Sequence, residues 1–317
     1  NPSEERREII STVSRDNIYL MRLCIETGGT SVRMAHCESD GKPAEFECIK
    51  NKTFEQVVAG VLEYVSKHKL QVQEIGISSF GPIMLDRKDP QYGQLLSIPC
   101  EAKATWLGKS LIMELAKALG VPIEKTFLNT DVTGAALGEL IHGHHPHKEG
   151  SLVYVTVGTG VGVGAVIDGR PIRGKLHPEG GHILVVKDER ESLYPHFKGN
   201  CKSHPGCLEN MITNYAIAER MKVTIDQLPS LPDSEPIWDI VANYLGQLCL
   251  TLTYTMSPHV IVIGGGILNR KFILPAVREY FRKYNNDYVK IGYSLDDYIQ
   301  EAQVPENGIH GAALFKN

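Results

Sequence analysis

Cysteine is sparse, with seven in 317 residues. Cys24, Cys37, Cys48, Cys100 and Cys249 are isolated, and only Cys201 and Cys207 sit close together. An odd, scattered set excludes a disulfide scaffold and reads as reduced thiols used as small apolar side chains. A basic block is also missing: 33 Lys+Arg against 37 Asp+Glu leaves a net charge of −4. Capture of nucleic acid or of an anionic membrane needs clustered Lys and Arg to displace counterions, so both are excluded as partners. No linker rich in Pro, Gly or Ser divides the chain. The N-terminal run NPSEERREIISTVSR is charged and has no apolar h-region, which predicts no signal peptide and a cytoplasmic protein. The stretch Ile240 to Asn269 has no charged residue, yet Asn243, Gln247, Thr251, Thr253 and Thr255 punctuate it and Ser257-Pro258 breaks it. It predicts a buried core helix followed by a buried strand rather than a membrane span. What is present, 42% hydrophobic and 22% charged residues, is the composition of a globular chain long enough for two lobes.

The pattern places those lobes in the α/β class. Residues 18–25 (IYLMRLCI) read as a strand, Gly28-Gly29 as a turn, and SVRMAHCE as a second strand closed by Asp40-Gly41. The same plan returns half a chain later: LVYVTV, then Gly158-Thr159-Gly160, then VGVGAVI, then Asp168-Gly169. Two similar halves are implied. Between the hairpins, Thr53 and Gln56 form a capping box before a stripe of Phe54, Val57, Val58, Val61, Leu62 and Val65. QEIGISSF reads as a strand ending at Gly81-Pro82. Leu111, Ile112, Leu115 and Leu119 stripe a helix stopped by Gly120 and Pro122. A strand to Asn129 and a helix from about Asp131 follow. Beyond the second hairpin come a loop-rich stretch (175–206), helices near 207–221 and 235–256, the strand HVIVI, and Gly264 to Gly266. The lobes are expected to pack on a shared cleft with the boundary near 137.

A loop such as Glu26-Thr27-Gly28-Gly29-Thr30-Ser31 between two strands can turn backbone N–H groups and hydroxyls toward an anion, because glycine permits close approach. One glycine pair alone is read as a tight hairpin. A second loop at Thr156 to Gly160 and a third at Gly264 to Gly266, after a buried strand, together favour a nucleotide gripped between lobes. None has the Walker A or Rossmann spacing.

Taken with Ser79-Phe80-Gly81-Pro82, Pro90-Gln91-Tyr92-Gly93, Thr130-Asp131-Val132 with Gly138-Glu139, and Gly158-Thr159-Gly160-Val161-Gly162, these loops resemble the ROK sugar kinases (repressor, open reading frame, kinase), and within them the ATP-dependent fructokinases. The resemblance runs from Leu23 to Phe315. It implies the two-lobed actin-like ATPase fold: a small lobe of residues 1–137 completed by a C-terminal helix at 308–317, and a large lobe of 138–307. It also implies that Thr27, Gly28, Gly29 and Thr30 hold phosphate, with Glu26 orienting a water on Mg²⁺. Gly158, Thr159 and Gly160 would hold the β/γ-phosphates, and Gly264, Gly265 and Gly266 the adenosine. Most members carry Asp at the place of Glu26 and Asn at that of Thr130, departures that bear on substrate choice more than on activity. Homodimerisation is a further implication of the family.

Phosphoryl transfer to a sugar hydroxyl needs a carboxylate that can accept the proton of the attacking oxygen. Asp131 stands where a strand meets a helix start, and the helix N-terminus is expected to keep it ionised. An ordinary helix cap is the alternative reading of the residue, and the resemblance favours the base. His182, Cys201, His204 and Cys207, spaced H-x18-C-x2-H-x2-C, offer two nitrogen and two sulfur donors suited to tetrahedral Zn²⁺. Four protein ligands leave no open position, so this zinc would be structural. In the family the motifs matching Glu179-Gly180-Gly181-His182 and Gly206-Cys207-Leu208-Glu209 contact the sugar, which makes Glu179, His182 and Glu209 substrate candidates beside Thr130, Gly81 and Pro82. The dense His142-Gly143-His144-His145-Pro146-His147 run is read as solvated histidines at a helix C-terminus rather than a metal site, and KDERE (187–191) as a solvated loop.

The leading expectation is a hexose kinase that transfers the γ-phosphoryl of MgATP to the 6-hydroxyl of a hexose, D-fructose first. A glucokinase or mannokinase of broad specificity and a non-catalytic sugar-responsive regulator are the alternatives. A regulator of that family adds a helix-turn-helix module, for which the 17 residues ahead of the first strand are too few. A filament- or chaperone-like ATPase would have no use for the two carboxylates of the zinc loop.

Overall fold

The computed structural model describes residues 21–28, 31–37, 42–50, 53–98, 101–201 and 203–316. Gly29, Thr30, Asp40, Gly41 and Cys100 lie outside the described residues. Among the described residues ten strands form two five-stranded sheets. The first contains β1 (Met21–Thr27), β2 (Ser31–Cys37), β3 (Pro43–Lys50), β4 (Val72–Ser79) and β5 (Thr126–Thr130), in the order β3-β2-β1-β4-β5. The second contains β6 (Leu152–Val157), β7 (Val161–Ile167), β8 (Arg170–Pro171), β9 (Val260–Gly264) and β10 (Ile299–Glu301), in the order β10-β9-β6-β7-β8. In each sheet the first three strands of the chain pair antiparallel, and the last two join parallel to the first. The repeated hairpin read from sequence is therefore the start of a duplicated topology.

Helix signals act where local chemistry puts them. In α1 (Phe54–Lys67) the Thr53 and Gln56 side chains cap reciprocally, and Phe54, Val57, Val61, Tyr64 and Val65 are buried against the first sheet. Ser110 caps α2 (Leu111–Leu119), which stops at Gly120 with φ 67°, a conformation glycine adopts without a Cβ clash. The helix α3 (Asp131–His142) follows β5 directly. The predicted helix near 207–221 is two, α4 (Leu208–Ile212) and α5 (Asn214–Met221), because Thr213 leaves the helical region at ψ 161° and caps the second with its hydroxyl. The uncharged stretch resolves into α6 (Pro236–Met256) and β9, whose five residues are all buried. No helix among the described residues is long and apolar enough to cross a membrane. Four elements escaped the sequence reading besides β3: β8, β10, α7 (Ile273–Asn285) and the short α8 (Leu295–Tyr298).

The last helix, α9 (Asn307–Leu314), and α3 exchange lobes. From the end of the first sheet, α3 buries Val132, Ala136, Leu137 and Leu140 against Leu152, Tyr154, Val166 and Val262 of the second. From the end of the second sheet, α9 buries Ile309, Ala312 and Ala313 against Cys24, Ala35 and Cys37 of the first. The helices cross where side chains are absent. A Cβ on Gly311 would lie 2.1 Å from the Gly134 carbonyl oxygen, and one on Gly138 would lie 2.5 Å from that of Asn307.

Two loop expectations are corrected. His145 is buried rather than solvated: its Nε2 lies 2.8 Å from Glu139 Oε2, and the same carboxylate accepts from the Val304 and Gln303 N–H groups and the Asn307 amide. The helix end turns inward there because β10 and the chain after it supply polar partners. Residues 187–191 likewise are no solvated loop. Glu191 is buried and forms a two-bond ion pair with the buried Arg220 at 2.7 and 2.9 Å, while Asp188 accepts from Arg190 and Asn243. Fork-to-carboxylate geometry makes such a pair tolerable out of water.

Candidate active site

The described residues at both hairpin ends are closed by a glycine N–H, over different spans. In the first, the Gly28 N–H donates to the Ser31 carbonyl at 2.9 Å, and in the second the Gly158 N–H donates to that of Gly160 at 3.0 Å. Buried Thr27 ties its tip to the end of β4, with Oγ1 2.9 Å from Ser79 Oγ and its carbonyl accepting from Phe80 N–H at 2.9 Å. A Cβ on Gly158 would meet nothing within 4 Å, so this tip borders open space with Thr159 exposed. Gly264 and Gly265 have a packing reason: a Cβ would lie 2.3 Å from Tyr154 Oη at the first and 2.3 Å from the Val157 carbonyl at the second. Gly266, whose nearest neighbour would be Asn269 at 4.0 Å, is the open member of the three.

Between these tips stand four carboxylates. Thr130 is the N-cap of α3, accepting from Thr133 N–H at 3.2 Å and donating to Thr133 Oγ1 at 2.7 Å. The cap role is thus filled, and Asp131 is the first helical residue, its Oδ1 accepting from Val132 N–H at 2.8 Å. Burial pushes the Asp131 carboxyl up to about 7, against the pull of the Val132 N–H, and the neighbouring charges of Glu26 and Glu179 add to the rise. The expectation that the helix N-terminus keeps Asp131 ionised is corrected: loss of hydration outweighs the dipole. Glu179, whose side chain is half exposed, is raised toward about 7 by partial loss of hydration and by the facing Glu209 charge. Glu26 is raised by burial, with Arg33 pulling the other way from 3.3 Å, and its carboxyl group fits only because Gly308 has no Cβ, which would sit 2.6 Å away. Glu209 Oε2 accepts from Val161 N–H at 3.0 Å and would also lie 3.0 Å from a Cβ on Gly160.

His182, Cys201, His204 and Cys207 come together with their donor atoms all within 4.8 Å, the one such group of three or more among the described residues. The His182 Nδ1 to Cys207 Sγ distance is 3.6 Å, and Cys201 Sγ lies 3.9 Å from Nδ1 of both histidines. Tetrahedral zinc with bonds of about 2.0–2.3 Å sets donor atoms roughly 3.3–3.8 Å apart; the 3.6 Å pair has that spacing and the 3.9 Å pairs are slightly wider, so a set of two nitrogen and two sulfur donors of this type could hold such an ion by drawing in slightly. Asn210, buried on α4, holds the loop's neck by accepting from Cys201 N–H at 2.7 Å and donating to the Pro205 carbonyl at 2.7 Å. Nε2 of His182 faces the other way, 3.8 Å from Glu209 Oε1.

Gly81 and Pro82, joined by a cis peptide, follow β4 into the same region. There they meet His177, a buried residue that sequence reasoning passed over although it stands two places before Glu179. A histidine in a loop carries no periodicity, and only the pairing of Gly81 with an opposing side chain could have pointed to it.

Duplicated β3-β2-β1-β4-β5 sheets, exchanged helices and two glycine-tipped hairpins around a carboxylate cluster define a two-lobed protein of the actin-like ATPase class. The chain belongs to the ROK family, whose profile matches residues 22–317. A fructokinase of Zymomonas mobilis is 36% identical over 84% of this chain and 86% of its own length, and one of Pediococcus pentosaceus is 33% identical over 92% and 96%. Among solved structures, a ROK hexokinase from Thermus thermophilus superposes with a TM-score of 0.71 at 22% identity, covering 93% of this chain and 97% of its own. A ROK glucokinase from Streptomyces griseus, solved with glucose and AMPPNP, gives 0.68 at 21%, covering 92% and 98%.

Proposed function

We propose that this protein is an ATP-dependent hexose kinase whose acceptor is D-fructose, phosphorylated on the 6-hydroxyl. The observation that carries the reading is the convergence of Glu26, Asp131, Glu179 and Glu209 between two glycine-tipped hairpins, with Asp131 pushed up to about 7. A general base works best with a pKa near the working pH, since it is then both largely ionised and able to hold a proton. Asp131 takes the proton of the attacking hydroxyl. Thr27, Gly28, Gly29, Thr30, Gly158, Thr159 and Gly160 cradle the phosphates, the Gly264 to Gly266 turn borders the nucleoside, and Glu26 orients a water on the metal. Magnesium supplies neutralisation of the β- and γ-phosphates. Glu179, Glu209, His182, Gly81 and Pro82 line the acceptor side, and Thr130 fixes Asp131 from behind.

Zinc in the His182, Cys201, His204, Cys207 loop supplies structure. A metal held by this set would engage His182 through Nδ1, which faces Cys201 and Cys207, and leave Nε2 toward Glu209, 3.8 Å away, to help orient that carboxylate. The lobes, 1–137 with 308–317 and 138–307, close on both substrates about the 134–138 segment and α9, where glycines already bring the helices into backbone contact. Cytoplasmic location and a homodimeric state complete the reading, the first supported by reduced, buried Cys24, Cys37 and Cys249 and the second by kinship. Fructose over glucose is supported by relatives named fructokinases at 30–36% identity.

The test is ADP release by the purified protein with MgATP and fructose, mannose, glucose or N-acetylated hexoses in parallel. Fructose is expected to give the highest kcat/KM. A preference for glucose or mannose removes the fructokinase assignment and leaves the kinase. Sugar binding without ADP release identifies a regulator instead.

A further inference from the structure

The chain between β8 and α4 belongs to the second lobe: Gly180 and Gly181 press on Val163 and on the backbone of Val161 so tightly that a Cβ would lie 2.8 and 1.9 Å from them. The segment after β4 belongs to the first. At one place the two touch through a buried imidazole. His177 Nε2 accepts the Ile83 N–H at 3.1 Å, and its ring fills the space in front of Gly81, where a Cβ would sit 2.7 Å from Cε1 and 2.8 Å from Nε2. A ring nitrogen that accepts a backbone N–H carries no proton, so in the neutral ring the proton is on Nδ1. Nδ1 faces the Pro178 carbonyl at 3.4 Å and the Glu179 carboxylate at 3.5 Å. Burial lowers the His177 pKa, in keeping with a neutral ring.

One imidazole thus spans the backbone that carries Gly81 and Pro82 in one lobe and the Glu179 carboxylate in the other. We infer that His177 is a positioning residue for the acceptor sugar: it sets the separation between the Gly81-Pro82 backbone and Glu179, and so shapes the pocket without touching the transferred phosphate. Gly81 is the complementary half of the device, since any larger residue would displace the ring. Among the described residues of the hairpin tips and of the turn after β9 none is hydrogen-bonded to His177; the nearest link is Thr27, whose carbonyl accepts from Phe80 N–H beside Gly81 at 2.9 Å.

The inference rests on the hexose kinase reading and predicts a split in the kinetics. His177→Ala should raise KM for fructose by about tenfold or more, while KM for ATP stays within about twofold, because misplacement of binding groups is felt by the ligand they hold. His177→Gln, whose side-chain oxygen can accept the Ile83 N–H, should recover most of the loss. Gly81→Ala should impair fructose in the same way, and combined with His177→Ala it should cost almost nothing more, because the ring that its methyl would strike is gone. Circular dichroism and calorimetric titration of fructose without nucleotide accompany each variant, so that a folding defect is seen as such. An unchanged fructose KM in folded His177→Ala overturns the inference. So does an equal loss for fructose and ATP with no rescue by Gln, or full additivity with Gly81→Ala. If the wild-type protein itself shows no hexose-dependent ADP release, the kinase reading fails instead.

Discussion

The two halves share a sheet order, a hairpin and a crossing helix, and differ in what hangs between them. In the first, the long excursion follows β4 (residues 80–110) and delivers Gly81 and Pro82. In the second it follows β8 (172–207) and delivers Glu179 and the His182, Cys201, His204, Cys207 cluster, with Glu209 just beyond on α4. The crossing helices differ at their first residue: α3 begins with Asp131 after an N-cap threonine, whereas α9 begins with Asn307, whose amide donates to Glu139. A duplicated scaffold therefore supplies a symmetric cleft, and the chemistry is made asymmetric by a few residues at equivalent places. This is how sites are grafted on folds generally.

The largest expected effect erases that asymmetry. Asp131→Asn makes the start of α3 like that of α9 and should lower kcat by about 10²–10⁴-fold while leaving fructose affinity within a few-fold, as Asn can still hydrogen-bond a hydroxyl but cannot take its proton. A variant within about tenfold of wild type would demote the residue. The same group sets the pH profile. With the Asp131 carboxyl raised to about 7, kcat/KM for fructose should fall by up to about tenfold per unit below that pH and level off above it. Stability moves oppositely. A carboxyl raised in the folded state binds its proton more tightly there than in the unfolded chain, so its contribution is present below the ordinary 3.8 and lost as pH rises toward about 7. The melting-temperature gain of Asp131→Asn over wild type should therefore grow across that window, which thermal scans in a series of buffers would show.

Next in size is the excursion peculiar to the second half. Cys207→Ser removes one of the four donors proposed to hold zinc and a sulfur that accepts the Asn210 N–H at 3.4 Å. It should lower zinc content from one per chain and raise fructose KM by roughly 10-fold, the scale on which disturbed metal shells act. Elemental analysis after chelator treatment is the check, and a wild-type protein without stoichiometric zinc would remove the structural-metal reading. Smaller again is the helix crossing. Gly311→Ala places a methyl 2.1 Å from the Gly134 carbonyl and should destabilise by about 1–3 kcal/mol, as overpacking does. Wild-type melting behaviour in that variant would mean the crossing is loose.

Legibility followed the same division. The hairpins, the capped α1 and α2, and the β5 to α3 junction were readable because their signals are local: period-two strands, Thr53 with Gln56, and Ser110 to Gly120. The His182, Cys201, His204 and Cys207 cluster was readable because cysteine and histidine at short spacing are rare. β3 was missed, since PAEFECIK alternates around charged Glu and Lys on a strand at the sheet edge, and so was α7, whose apolar Ile273, Leu274, Val277 and Phe281 are interleaved with Arg278, Glu279, Arg282 and Lys283. The partners of His145, Glu191 and His177 lie in other elements, as Gln300, Arg220 and Ile83. Apart from Glu139, six residues before His145, these partners are far away in sequence, and for that reason each residue looked like solvent-exposed polarity or went unnoticed.

The smallest expected effect concerns the helices that follow the fourth strand in each half. α2 ends at Gly120 with φ 67°, and its counterpart α7 ends at Asn286 with φ 44°, both left-handed. Nothing lies within 4 Å of a Cβ added at Gly120, so substitution there meets no steric obstacle and changes only the conformational preference of the cap. Ala resists positive φ, and Gly120→Ala should cost about 1 kcal/mol. Asn tolerates it through local hydrogen bonding, so Gly120→Asn, which copies the second half into the first, should cost only a few tenths. The reciprocal Asn286→Gly adds a complication, because Asn286 N–H closes α7 onto the Arg282 carbonyl at 3.0 Å through its backbone, a bond that survives the change. Its effect should be neutral to slightly stabilising, under about 1 kcal/mol. Melting temperatures of the three variants, measured at one pH and metal content, decide it. Equal losses for Ala and Asn at 120 would show that the two caps, alike in backbone angles, are not interchangeable, and that the halves diverged even where their geometry did not.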